Sequence, residues 1–465
     1  MPPSIFKVDH CHENSSLERS RIGLGLFMKE ICVGLIGFGT IGVGVAKIIR
    51  ENGKLLEDRI GFKLKLKKIA DLDIITPRGI DVEPNILTTN ANEILDDPEI
   101  QIVIELIGGH EPAKTFIAKA MKNGKQVVTA NKALLADSGI EICRLAREHD
   151  VDIAFEAAVA GGIPIIRSLR EGLIANRFEK VLAILNGTCN FILTAMTENP
   201  GISFDEMLKK AQDLGYAEAD PTLDIEGIDS AHKLVLVLAI THGIWMPIDR
   251  IFVQGITQID PFDILMAQEF SYKIKLLAMI LRHGDKVEVR LHPTMLPKNH
   301  PLAQVDGVFN GIYLRGDMVG EQLFYGRGAG REPTASAVIG DVVEVARNIG
   351  RETNGKVPPL GYSDENLSSG RVMDISEITT NYYLRIQAHD KPGVLSKIAG
   401  IMAEHNISIH SVIQKKRVTG AAVPVVFLTH VAREADIQKA IEKIGLLEAV
   451  EGSPVIIRIE DEELC

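Results

Sequence analysis

The chain has 465 residues, of which 46% are hydrophobic and 24% charged. At roughly 100–200 residues per domain this length predicts about three globular domains, and the composition of a disordered chain and an apolar run near the ~18 residues that cross a bilayer are both missing. The net charge of −11, from 51 basic and 62 acidic residues, would repel phosphates and excludes nucleic acid as a partner. Cys11, Cys32, Cys143, Cys189 and Cys465 are scattered without CxxC spacing, which predicts a reducing cytoplasm and no structural zinc.

Residues 1–29 read as a disordered leader without helical or strand periodicity, and the natural start is expected at Met28. Asp9, His10, Cys11, His12 and Glu13 are metal-type ligands with no framework to fix them. From Ile31, short apolar runs alternate with amphipathic stretches: ICVGLI, a helix from about Ile41, KLKLKKIA, QIVIELI, helices near 112–122 and 134–148, QVVTA, and DIAFEAAVA as a last strand. That is the pattern of βα units in a doubly wound parallel sheet covered on both faces, expected over 30–162.

Beyond Gly162 the pattern changes. SFDEMLKKAQDLGY predicts a helix with Ser203 and Glu206 at capping-box spacing, and a second helix runs from about Asp229 through KLVLVLAI. KIKLLAMIL, KVEVRL, GIYLRG and EQLFYG predict hairpin strands, giving an α+β domain over 163–325. The proline-bearing stretch 351–377 has linker composition. Residues 378–465 then carry a β-α-β-β-α-β order, the ferredoxin-like arrangement.

Gly37-Phe38-Gly39-Thr40-Ile41-Gly42 follows a strand and opens a helix, the setting in which G-x-G-x-x-G predicts dinucleotide binding. The glycines allow a tight turn, close approach of backbone to the pyrophosphate, and helix–sheet packing. Asp71, at the end of the second strand, suits the ribose hydroxyls of NAD, whereas Lys67, Lys68 and Arg78 nearby could pair with the 2′-phosphate of NADP; NAD and NADP both stay open. Asp229 and Lys233, four apart, share one helix face, and a lysine so held can exchange a proton with an alcohol during hydride transfer.

With these residues the sequence resembles the homoserine dehydrogenases that carry a C-terminal ACT domain. The resemblance rests on GFGTIGVGV, ELIGG (105–109), TANKALLA (129–136), EAAVAGGIPII (156–166), NGTCNFIL (186–193), GYAEADPTLDIEGIDSAHKL (215–234) and YGRGAGREPTASAV (325–338). It implies an NAD(P)-dependent enzyme interconverting L-homoserine and L-aspartate 4-semialdehyde. Lys233 is implied as the acid/base lysine with Asp229 beside it, Lys132 as a second catalytic and cofactor-side lysine, and Glu218, with Asp224, as binding the substrate's amino group. Glu156, Val159, Gly161 and Ile163 match a loop that in the family holds a sodium ion, largely through backbone carbonyls, a donor set suited to a hard cation. Gly326, Gly328 and Gly330, before Pro333, look like a returning segment that closes over the cofactor and completes its domain over about 326–350.

The stretch Asp390-Lys391-Pro392-Gly393-Val394-Leu395 resembles the ACT signature, with Asn406 and Ile407 opening the next strand. It implies an effector site, with L-threonine the expected ligand, in a homo-oligomer (dimer or tetramer) formed by edge-to-edge pairing. An enzyme lacking 378–465 is then expected to stay active and lose threonine inhibition, unless the oligomer depends on that domain. The other class of reading is an amino-acid-sensing regulatory protein with a silent dehydrogenase domain; the intact set Lys132, Glu218, Asp229 and Lys233 argues against silence.

Overall fold

The computed structural model describes residues 30–368, 370–415 and 421–461; the leader with its cluster at 9–13, and Cys465, lie outside the described residues. The first unit is built from β1 (Glu30–Ile36), α1 (Thr40–Ile60), β2 (Lys63–Ala70), β3 (Leu87–Thr88), α2 (Asn92–Leu95), β4 (Ile100–Glu105), α3 (Ala113–Lys122), β5 (Gln126–Thr129), α4 (Lys132–Glu148) and β6 (Ile153–Ala154). The strands form one sheet in the order β3-β2-β1-β4-β5-β6, with parallel pairings throughout. β1 and β4 are almost wholly buried, as strands covered on both faces must be.

The expected strand DIAFEAAVA stops after Ala154. Glu156 begins a short 3₁₀ turn, because its carboxylate accepts the Ile166 and Arg167 backbone N–H groups and bends the chain into α5 (Ile165–Arg167). Ala160 and Gly161, both at φ 54°, complete the bend.

The second unit runs through β7 (Phe178–Ile184), α6 (Gly187–Glu198), α7 (Phe204–Asp213), α8 (Thr222–Ile225), α9 (Ile228–His242), β8 (Phe252–Val253), α10 (Pro261–Glu269), β9 (Tyr272–His283), β10 (Lys286–Pro297), β11 (Phe309–Gly316) and β12 (Gly320–Arg327). The Ser203–Glu206 capping box forms as the spacing predicts. Helix α9 is buried along nearly its whole length, so its position is fixed by packing rather than by propensity. Chain then returns as α11 (Arg331–Arg351), which packs on α1: a Cβ at Gly44 would stand 2.8 Å from Ala335 Cβ.

The C-terminal unit contains β13 (Thr379–His389), α12 (Val394–Glu404), β14 (Ile409–Gln414), β15 (Ala422–Thr429), the two-residue β16 (Ala432–Arg433), α13 (Glu434–Gly445) and β17 (Val450–Ile459). Its β-α-β-β-α-β core is as expected, but it does not hang on a free linker. β17 pairs in parallel with β10, Thr294 opposite Arg458 and Met295 opposite Ile459, so the sheet continues as β12-β11-β7-β9-β10-β17-β13-β15-β14. Residues 351–377 are bonded along the second unit, through Trp245 N–H to the Ser368 carbonyl, Tyr362 Oη to the Thr241 carbonyl, and Val287 N–H to the Arg371 carbonyl.

Side-chain alternation along β13 explains the join. Tyr382, Leu384 and Ile386 face α12 and α13 in a core of their own, whereas Tyr383 belongs to the core of the second unit. Asp263, fully buried at the start of α10, accepts the Tyr383 hydroxyl at 2.8 Å and Arg385 Nε at 2.7 Å. Removing 378–465 would leave this carboxylate unpaired and uncover the apolar partners of Tyr383, which revises the expectation of an active truncated enzyme. Arg385→Met should lower unfolding free energy by about 3 kcal/mol, the typical cost of leaving a buried charge without its partner. Urea unfolding of the full chain checks this, and an unchanged midpoint would contradict it.

Candidate active site

The nucleotide cradle sits at the carboxyl ends of β1, β2 and β4. Gly37 adopts φ 103°, and a Cβ there would stand 2.7 Å from the Leu106 carbonyl carbon; one at Gly42 would stand 2.1 Å from the Gly37 carbonyl oxygen. Both positions therefore admit only glycine without a shift of backbone. Gly39 differs, since nothing lies within 4 Å of its Cβ position. It is also the N-cap of α1, with no side-chain cap and no acidic residue in the first turn, so the first N–H groups of a 21-residue helix face open space, as a pyrophosphate requires. Phe38 and Thr40 flank that opening, and Ile41 begins the packing of α1.

Asp71 is anchored at the rim, its carboxylate accepting the Phe38 N–H at 2.5 Å and the Asp73 N–H at 2.9 Å. Of the three cations that could favour a 2′-phosphate, Lys67 pairs with Asp97 and Glu99 and Lys68 with Glu93. Arg78 stays at the rim, 3.6 Å from Asp71 and 3.3 Å from Asp73. The returning segment crosses the 160–163 bend beside this cradle: Gly162 N–H donates to the Arg327 carbonyl, and a Cβ at Gly161 would stand 2.2 Å from the Gly328 carbonyl oxygen. Gly330, at φ 120°, caps α11.

Asp229 stands where the first two units meet. Its Oδ2 accepts Lys233 Nζ at 2.6 Å and Asn186 Nδ2 at 3.0 Å, and its Oδ1 lies 3.1 Å from Lys132 Nζ. Lys132 begins α4 of the nucleotide-binding unit and Asp229 and Lys233 lie on α9, so one carboxylate bridges both. Burial by itself would raise the Asp229 carboxyl, but the ammonium charges of Lys233 and Lys132 and the bonds from Lys233 and Asn186 outweigh it and hold the group well below the usual carboxylate range. A depressed carboxyl adds stability that is complete above its unfolded value and is lost only as pH falls through the folded one, so Asp229 stays charged down to strong acid. Lys233 Nζ also donates to the Leu185 carbonyl at 2.7 Å.

Asn186 was not singled out from the sequence, although it precedes the α6 helix at N-cap spacing. It caps α6 through the Cys189 N–H and donates to Asp224 Oδ1 at 2.8 Å as well as to Asp229. Glu105 was also missed: fully buried, it accepts the Thr129 hydroxyl and the Ile107 and Gly108 N–H groups, while Asn131 Nδ2 holds the Gly109 carbonyl. Together they fix the 106–109 loop beside Lys132.

The structure brings Lys132, Asp229, Lys233 and Asp224 into one network. It does not bring in Glu218, which is exposed on the loop before α8 and contributes only its backbone carbonyl, to Gln212 Nε2. At the bend, Glu156 has both carboxylate oxygens on backbone N–H groups, and its own N–H donates to Asp341. A cation at Glu156, Val159, Gly161 and Ile163 would thus depend on main-chain oxygens. In the C-terminal unit a cavity of about 270 Å³ is lined by 388–395, Gln414 and Val425; it includes Asp390 and Gly393, but not Asn406 or Ile407.

A glycine cradle at a parallel sheet, a lysine–aspartate–lysine cluster at its mouth and an ACT-like unit define an NAD(P)-dependent oxidoreductase acting on a CH–OH group. Comparison with known proteins agrees segment by segment: 37–156 matches the family "Homoserine dehydrogenase, NAD binding domain", 164–343 the family "Homoserine dehydrogenase", and 382–445 the ACT domain. A homoserine dehydrogenase of Neisseria gonorrhoeae is 43% identical, covering 93% of this chain and 99% of its own. The crystal structure of one from Thiobacillus denitrificans superposes with TM-score 0.88 at 46% identity, over 93% of this chain and 99% of that one. A hyperthermophilic archaeal homoserine dehydrogenase in complex with NADPH is similar over 68% of this chain and 98% of its own, with TM-score 0.57 and 27% identity. This chain belongs to the homoserine dehydrogenase family.

Gly42→Val should abolish NAD(P) binding, because the added carbons must displace the Gly37 carbonyl. Fluorescence titration with NADH and NADPH checks it, and wild-type affinity for either would contradict the cradle.

Proposed function

We propose that this chain oxidises L-homoserine to L-aspartate 4-semialdehyde, and reduces it in reverse, with Lys233 as the proton-transfer group. The observation that carries this is the Lys132–Asp229–Lys233 cluster at the mouth of the cradle. When bound, NAD(P) supplies the hydride acceptor. Lys233 Nζ directs two N–H bonds, to Asp229 and the Leu185 carbonyl; in oxidation the neutral amine turns its lone pair to the substrate hydroxyl and takes that proton, becoming an ammonium with three donors, and in reduction the ammonium returns the proton to the oxygen and is left as the amine. Asp229 holds Lys233 in that direction. Lys132 places a second positive charge where oxygen gains negative character.

The substrate's ammonium group calls for a carboxylate. Asp224, held by Asn186, supports that role directly. Glu218 can serve only if the loop before α8 closes on substrate. Gly37–Gly42, Asp71 and Gly330 hold the cofactor; with Lys67 and Lys68 engaged elsewhere, Asp71 favours NAD, and of the three nearby cations Arg78 is left to meet a 2′-phosphate. A sodium ion at the 156–163 bend, on main-chain oxygens, would hold the bend against the returning segment.

The reading extends to organisation. The nucleotide-binding unit spans 30–162 with 326–350, the catalytic and dimerising unit 163–325, the connecting segment 351–377 and the ACT unit 378–465. L-threonine, binding near Asp390 and Gly393, acts as inhibitor in a homo-oligomer, and Asn406 and Ile407 support the neighbouring turn. A cytoplasmic setting fits Cys32, Cys143 and Cys189, which are buried and form no disulfide among the described residues.

Lys233→Ala should lower kcat for homoserine by about 10²–10⁴ with cofactor affinity nearly unchanged. Steady-state kinetics and NAD(P) titration test it, and a wild-type kcat would make Lys233 structural. Asp71→Ser should shift preference toward NADP, read as the ratio of kcat/KM for the two cofactors; a wild type that strongly prefers NADP would give Arg78 the deciding role.

A further inference from the structure

A cavity of about 560 Å³ opens where the ACT unit joins the catalytic sheet, and no residue of the Gly37–Gly42 cradle lines it. Its walls come from both sides: the start of β13 and the end of β17 on one, β7, the β9–β10 hairpin and β11 on the other. Lys180, Glu288 and Arg290 are buried beneath it. Lys180 Nζ donates to Glu460 Oε1 at 2.8 Å, Arg290 reaches the other Glu460 oxygen at 3.5 Å, and Arg290 also pairs with Glu288. A second cavity of about 240 Å³ shares Lys180, Glu460 and Asp461 with the first, so the Lys180–Glu460 pair has open space on two sides.

We propose that this seam cavity binds a small zwitterion of the α-amino-acid class, its carboxylate on Lys180 and its ammonium on Glu460. The charges lining the larger cavity balance, four Lys and Arg against four Asp and Glu, which disfavours a singly charged ligand. An anion inserted at Lys180 would strip Glu460 of its 2.8 Å partner and leave it only the longer 3.5 Å contact with Arg290, at the cost of a poorly compensated charge. A zwitterion replaces each partner with a like charge of its own and leaves neither stranded. Leu281 and Ile459 add carbon surface beside the pair, which fits a short aliphatic side chain. Thr380 lies here at the first residues of β13 and Asp390 follows its last, so this site and the Asp390–Gly393 cavity lie about 30 Å apart at ~3.3 Å per residue. A ligand here would touch β7 and β17 together and so act directly on the joint between the two units.

The test combines hydrogen exchange on the wild-type full chain with calorimetry. The probes are L-threonine, L-valine and L-isoleucine, with acetate and ethylammonium as single-charge controls. At least one amino acid should protect amides near 180 and 459–461, and Lys180→Met/Glu460→Gln should weaken its binding at least tenfold while homoserine turnover persists. Asp390→Ala should leave the protection at 459–461 in place. Protection confined to 388–395 would overturn the proposal while leaving the inhibitor reading of the ACT unit intact. No protection by any amino acid, equal binding of acetate or ethylammonium, or unchanged affinity in the double variant would each overturn it as well. The exchange measurement needs no variant, so a double variant that fails to fold still leaves a decisive result.

Discussion

The carboxylate of Asp229 is the point on which the catalytic architecture turns. A charge so deeply buried persists only if it is paired, and here its pairs come from two different units: Lys132 from the first turn of α4 and Lys233 from the next turn of its own helix. The same contacts therefore settle the relative placement of the cofactor cradle and Lys233, the proposed proton-transfer group. Asn186 extends the arrangement by linking Asp229 to Asp224 and capping α6. Hydride and proton transfer need reacting groups held to within fractions of an ångström. A triad of short charge-assisted bonds between packed helices meets that need better than residues on free loops.

The ACT unit is joined to this machinery by the same kind of contact. Arg385 and Tyr383 converge on Asp263. Arg458, almost wholly buried, pairs with Glu434 of α13, reaches Gln254, and lies over the Phe252 ring at 4.6 Å. Such joints transmit strain because paired buried charges tolerate few alternative arrangements. Continuity of one sheet across the seam gives an effector on the ACT unit a mechanical route to the catalytic unit. α10, which carries Asp263, reaches α6 through Gln268 Nε2 and the Thr197 carbonyl, and α6 begins at Asn186.

Much of this was legible in the sequence where the signal is local. G-x-G-x-x-G, the Ser203 capping box, the apolar runs of the parallel sheet and the four-residue spacing of Asp229 and Lys233 are all set by neighbours within a few positions. What was hidden depends on partners far along the chain. DIAFEAAVA reads as a strand, yet Glu156 is drawn off by N–H groups ten residues on. Residues 351–377 have linker composition but are held by partners far along the chain, backbone bonds to Trp245 and Val287 and the Tyr362 hydroxyl on the Thr241 carbonyl. The run Tyr382–Ile386 of β13 places adjacent tyrosines side by side, and only the structure tells that Tyr382 and Tyr383 serve different cores. Glu218 shows the converse: family likeness points to it, whereas the geometry leaves it outside the cluster.

In the proposed mechanism Asp229 positions Lys233 for proton transfer without taking part in cofactor binding. The most direct measurement is the kinetics of Asp229→Asn, with kcat for homoserine followed beside the dissociation constant of NAD(P). The account predicts a fall in kcat of about 10² or more, with cofactor affinity held within a few-fold because the Gly37–Gly42 cradle is untouched. A variant with wild-type kcat, or one whose only defect is lost cofactor affinity, would contradict it.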